Sequence, residues 1–185
     1  MSSQIIKAWH FTAETLRTGS PIPPVGEWSR YEGEIIPCSA GLHASRRLID
    51  ALQYAPGSVL HYVSMRGELV EHGKPVDKLV ARERRIEWTI PAEVMEPILR
   101  RFARWCALQV IHLWDAPDDV VRRYLETGDE SIRAATRAAT RAAAMAAAGD
   151  AAEAAAWDAA GDGQERELQR LVQVARRQMK GGDEG

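Results

Sequence analysis

The chain of 185 residues has no asparagine, two cysteines, two phenylalanines, and four lysines against 20 arginines. Cys38 and Cys106 lie in different segments, outside any C-x-x-C or zinc-finger spacing, so neither a disulfide framework nor a structural metal is indicated and reduced, buried thiols are the expectation. No stretch approaches the ~18 apolar residues that span a bilayer, and the opening MSSQIIKAWHFT has no charged region leading into an apolar run. The expectation is therefore a cytoplasmic protein with no membrane partner. Net charge is −2. Up to Ile90 there are 11 basic and 10 acidic residues, and after it 13 and 16, so neither part is a polybasic nucleic-acid binder. Triad, P-loop, dinucleotide fingerprint and nucleophile elbow are all missing. The lack of asparagine and the excess of arginine fit either a GC-rich genome or selection against thermolabile side chains.

What is present suffices for a packed core: 45% of residues are hydrophobic and 27% charged. Composition shifts near residue 90, and the expected class is α+β, with a small mixed α/β head at 1–90 and an all-helical, alanine-rich domain at 91–185. Ile5 to Thr12 alternates as a strand, with His10 and Thr12 on one face. Thr18 to Gly26 is rich in turn formers and reads as a loop. Two short extended pieces should flank Gly41, with Ser45 capping a helix from Arg46 to about Tyr54. Val59 to Met65, apolar on both faces, reads as a central strand, and Leu79 to Thr89 as its follower.

Beyond residue 90, Pro91 and Pro97 occupy first-turn positions, and Leu99, Phe102, Cys106, Val110 and Leu113 form one helical stripe. Asp115 to Asp119 opens a further helix that closes at Gly128. Asp129, Asp150 and Asp162 each precede a helix. Glu153 and Glu165 complete capping boxes for the last two, with Gly149 and Gly161 as stops. The alanine runs between these signals predict two close-packed helices. A final helix, about Gln164 to Met179, carries Leu168, Leu171, Val172, Ala175 and Met179 as the stripe that docks it on the bundle.

Cys38-Ser-Ala-Gly-Leu-His-Ala-Ser45, Ile49-Asp-Ala-Leu-Gln-Tyr-Ala-Pro-Gly57, Gly67-Glu-Leu-Val-Glu-His-Gly73 and Asp77-Lys-Leu-Val-Ala81 resemble an uncharacterised domain of phage and prophage proteins. The likeness covers roughly Lys7 to Trp88, with Ser45 where that family has a cysteine and Leu42 where it has a phenylalanine. Arg101-Phe-Ala-Arg-Trp-Cys-Ala107, Pro117-Asp-Asp119 and the alanine ladder resemble helical domains of bacterial toxin-immunity proteins, over roughly Leu99 to Val174. Together these resemblances imply a non-catalytic, phage-associated accessory protein. It would inhibit a bacterial defence or toxin system by binding a host or phage protein, and would need no cofactor.

His10-x-Thr12 on the first strand, Gly41-Leu-His-Ala-Ser45 before a helix and a glutamate on a late strand also resemble the order of features in ADP-ribosyltransferase-type folds. That resemblance implies an NAD-binding or nucleotide-binding enzyme. His10 and Thr12 would contact ribose, Ser45 and Tyr54 would line the nicotinamide pocket, and Glu87 or Glu83 would be the catalytic carboxylate. The chain departs from the pattern in having Arg85 between the two glutamates and no Glu-x-Glu.

Plainer readings stand beside these. His10 and His43 read as hydrogen-bonded structural side chains, the commoner fate of isolated histidines in small domains, and His61, among Val59, Val63 and Met65, reads as a core histidine. Arg133, Arg137 and Arg141 recur every fourth residue, as a solvated face or as a basic stripe for a partner protein or nucleic acid. Trp157 in its alanine helix is a core plug or an interface anchor.

Overall fold

The structure, a computed structural model, describes residues 4–113, 118–137 and 154–182. It is an α+β fold built on a five-stranded antiparallel sheet. The strands are β1 (Ile6–Thr12), β2 (Trp28–Arg30), β3 (Leu42–Ala44), β4 (Val59–His72) and β5 (Lys78–Ile90). The helices are α1 (Leu48–Gln53), α2 (Ala92–Val110), α3 (Asp119–Thr127) and α4 (Ala154–Gly182). β4 is central as its two-sided apolar pattern requires, paired with β1 and β5. Contacts divide the chain into two compact units, Met1–Glu96 with Glu165–Gly185, and Pro97–Gln164.

In the first unit the strand order is β1-β4-β5-β2, and β3 pairs with β5 beyond the end of β2. Ser45 then exchanges two backbone hydrogen bonds with Trp9, at 2.8 and 2.9 Å. Pairing therefore runs from β1 through β4, β5 and β3 back to β1. Ala8, Ala44, Val63, Met65, Leu79, Ala81 and Ile86, drawn from all four strands, form one buried cluster. A closed arrangement of this kind leaves few unpaired strand edges and turns one set of side chains inward. Trp9, Tyr62 and Trp88 form an aromatic cluster, with ring centroids 4.8 to 5.7 Å apart. In the same unit Leu168, Leu171, Val172 and Ala175 of α4 are buried, and the Arg176 guanidinium lies 4.3 Å from the Trp88 ring.

Several expectations change here. Trp28–Arg30 is a strand that spacing does not reveal, because three residues are too few to show a period. Ser45 does not cap α1: the helix starts at Leu48 after Arg47, which makes no side-chain cap, while Ser45 is spent on the bridge to Trp9. Its cap is Glu165, whose carboxylate accepts from the amides of Leu48 at 2.9 Å and Ile49 at 2.7 Å. Glu165 is therefore no member of a capping box with Asp162. Gly161 is no stop either, since α4 runs through Gly161 and Gly163 without a break. Of the stripe of the final helix, Leu168, Leu171, Val172 and Ala175 are buried and Met179 is exposed, and the helix from Glu165 on belongs to the unit that holds the head.

The second unit keeps more of its signals. Asp118 caps α3 by accepting from Val120, and Gly128 ends it at φ 70°. Asp129 caps a short 3-10 turn, Glu130–Ile132, followed by helical residues at 133–137. Pro97 sits inside α2, which begins at Ala92, so Pro91 alone marks the entry. Phe102 is buried, but Val110 and Leu113 at the far end of the expected stripe are exposed. Gly149, Asp150, Glu153 and the alanine pairing between them lie outside the described residues.

Candidate functional site in the head

A cavity of 320 Å³ opens in the first unit beside β1 and β3. Of the residues that the sequence singled out, His10, Thr12, Ser45 and Tyr54 all line it. Strand alternation puts His10 and Thr12 on one face of β1, and the Ser45–Trp9 bridge brings the end of β3 alongside. Tyr54, just past α1, stands at the mouth with its hydroxyl donating to Asp77 Oδ2 at 2.5 Å, the main cause of a pKa pushed up to about 12. Lys78 Nζ lies 3.4 Å from the Tyr54 ring centroid and donates to Cys38 Sγ at 3.5 Å.

Behind this lining runs a buried polar chain. Thr12 Oγ1 and His61 Nε2 are 2.9 Å apart, and His61 Nδ1 and Thr89 Oγ1 also 2.9 Å, so both ring nitrogens of His61 are satisfied. Burial first, then Arg84, pushes the His61 pKa down to about 4. His61 is thus the core histidine its strand neighbours suggest. His10, whose ring lies 6.1 Å from that of His61, is also held well below the ordinary range, by burial and then by Arg84, His61 and His43. It is deeply enclosed yet keeps a surface on the cavity.

Arg84 dominates the charge of the site. It is 6% exposed, its guanidinium donates to the His43 carbonyl at 2.6 Å, and among the described residues no carboxylate pairs with it. Burial lowers its pKa to about 10, so it stays charged at neutral pH. Arg17 and Lys78 also line the cavity, and among the described residues no acidic one does. His43 lines it too, with its buried Nε2 lacking a hydrogen-bond partner and its pKa lowered by burial, Lys78 and Arg84. Sequence spacing singles out neither Arg84 nor Lys78, because both are ordinary alternating members of a charged strand.

The two glutamates are elsewhere. Lys7 and His10 are three positions apart on β1 and project to opposite faces, and Glu87 is on the Lys7 side. There it accepts from Lys7 at 3.0 Å, from Arg85 at 2.9 Å and from the Ser64 hydroxyl, which with the other two draws its pKa down to about 2. Glu83 accepts from Arg30 at 2.7 Å and Arg66 at 2.5 Å. Neither lines the cavity, so the carboxylate that would stabilise a cationic sugar does not meet His10 and Thr12.

Arg133 and Arg137 are exposed in the second unit, and Arg133 pairs with Glu130 at 3.1 Å. Arg141 and the side chain of Trp157 lie outside the described residues. Among the described residues no group of three or more histidine, cysteine or acidic side chains is placed to hold a metal, and no helix is long and apolar enough to cross a membrane. Compared with protein-family models, with curated proteins and with solved structures, the chain matches none.

Proposed function

We propose that the head binds a phosphate-bearing small molecule of the nucleotide class in the cavity at His10, without ADP-ribosyl transfer. The observation that carries this reading is Arg84, a guanidinium that is buried on the wall of the cavity and has, among the described residues, neither a carboxylate partner nor an acidic neighbour in the lining. A buried charge without a counter-charge is costly, and an anionic ligand relieves that cost while using the guanidinium fork. Thr12, Ser45 and Tyr54 add hydroxyls and an aromatic ring suited to a sugar and a base. Calorimetric titration of the full chain with NAD, ADP-ribose and AMP tests it. Binding of at least one with a Kd below ~1 mM, lost in Arg84→Met, is expected, with no turnover of NAD. Absence of binding by all three refutes it.

The family resemblances carry a second proposal, a phage-associated accessory protein that inhibits a bacterial defence or toxin system by binding a macromolecule. The exposure of Arg133 and Arg137 supports it. Charge reversal at Arg133, Arg137 and Arg141 should then abolish capture of a partner from bacterial lysate while the melting temperature stays unchanged. Capture that survives the reversal sinks the arginine stripe as its basis.

A further inference from the structure

The cationic wall leaves hydrogen-bonding capacity unused. His43 Nε2 is buried without a partner, and no hydrogen bond to the His10 ring forms among the described residues. Both rings line the cavity with Arg84 and Lys78. We infer that the cavity seats a terminal phosphate monoester on Arg84, Lys78, His43 and His10, so that its ligand is a mononucleotide or sugar phosphate and not a dinucleotide. This rests on the nucleotide-class reading above and narrows it.

Charge, donor geometry and size each support the choice. A monoester carries close to two negative charges near neutrality and three terminal acceptor oxygens, whereas each phosphate of a dinucleotide bridge carries one charge. The wall supplies a guanidinium fork, an ammonium and two imidazoles, a set that matches three oxygens better than a bridging pair. At 320 Å³ the cavity is near the lower end of small-molecule sites, which run from about 300 to 1,000 Å³. That is room for one nucleotide.

Seating a phosphate oxygen on an imidazole nitrogen requires a proton on that nitrogen. Burial and then Arg84 from β5, His61 from β4 and His43 from β3 act on His10. His43 faces Lys78 and Arg84 from β5, Arg17 from the segment after β1, and the Gly41 backbone. Every charged group in these two sets is cationic, so both rings rest neutral, and an entering dianion reverses the local field. A neutral ring carries one N–H, and that of His43 is given to the Gly41 backbone, so a phosphate oxygen at Nε2 requires a second proton and binding takes one up.

The test is isothermal titration of the full chain with AMP, ribose 5-phosphate, adenosine and NAD from pH 6.5 to 8.5, in two buffers of different ionisation heat. AMP and ribose 5-phosphate should bind at least about tenfold more tightly than NAD, and adenosine should give no heat. Proton uptake should be positive, and AMP affinity should fall by up to about tenfold per pH unit. His43→Gln should reduce both affinity and proton uptake with an unchanged circular dichroism spectrum. Lys78→Gln, on the same lining, should weaken AMP and ribose 5-phosphate more than NAD if His43→Gln fails to fold. NAD binding as tight as AMP, or binding without proton exchange, overturns this inference and leaves the nucleotide-class reading in place. No binding by any phosphate-bearing ligand overturns both.

Discussion

Glu165 accepts the amide hydrogen of Leu48 at 2.9 Å across 117 positions of sequence, and through its other oxygen that of Ile49 at 2.7 Å. α1 is six residues long, too short to be stable alone, and its preceding residue, Arg47, offers no acceptor. A carboxylate at its positive end satisfies two orphan amides and opposes the helix dipole. The last helix thereby holds the element that carries Ala51 and leads into Tyr54 at the cavity wall.

Glu165→Ala should accordingly lower stability by about 1–3 kcal/mol, the range for losing a charged hydrogen-bond acceptor from a partly buried helix end. Urea denaturation followed by tryptophan fluorescence measures this, and hydrogen exchange should show faster exchange at residues 48–53. An unchanged midpoint together with unchanged protection of α1 would refute the cap.

His61 makes stability depend on pH. Its folded pKa of about 4 lies below the ordinary 6.5, so between those values the unfolded chain binds more protons than the folded one. Its contribution is complete above about pH 6.5 and is lost as pH falls towards 4, by about 3 kcal/mol at full loss. His10 and His43, lowered in the same direction, steepen the fall. In His61→Gln the slope of unfolding free energy against pH should flatten between pH 6.5 and 4. A parallel slope in wild type and variant would be decisive against this role.

Gly41 adopts φ +113°, and a Cβ there would lie 2.5 Å from Val80 Cγ2. Gly41→Ala is therefore expected to cost about 1–3 kcal/mol from combined backbone strain and overpacking. Because Gly41 leads directly into β3 and lines the cavity, AMP affinity should fall together with stability. Thermal unfolding and titration of the same preparation check both, and a variant as stable as wild type contradicts the account.

Glu87→Ala should separate the sheet from the cavity. Removing the carboxylate takes an acceptor from Lys7, Arg85 and the buried Ser64 hydroxyl, leaving Lys7 and Ser64 only their bond to each other, at an expected cost of about 1–2 kcal/mol. Ligand affinity should change by less than about twofold, since the group faces away from His10. A large loss of binding or of any NAD turnover in this variant would revive the transferase reading.

Local sequence signals were enough wherever the cause is local. Alternation from Ile6 to Thr12 put His10 and Thr12 on one face, the two-sided apolar run from Val59 made β4 central, and Asp118 and Gly128 bounded α3 by their own side chain and backbone. The resemblance to ADP-ribosyltransferase-type folds groups His10, Thr12, Ser45 and Tyr54 with Glu87 or Glu83; the first four share one cavity and the glutamates lie outside it.

Only the tertiary structure decided what depends on partners distant in sequence. Ser45 and Glu165 each carry the residue type of a helix cap, yet pairing between β3 and β1 uses Ser45 for a bridge and docking of α4 gives the cap of α1 to Glu165. Strand register placed Glu83 and Glu87 among arginines on the far side of β1's His10 face, and left Arg84 buried without a carboxylate among the described residues. Sequence by itself determined which faces were apolar and which residues could turn or cap. The closing of the strands determined which charges were neutralised and which were left without a counter-charge among the described residues, because pairing across a fold depends on a register that no local pattern encodes.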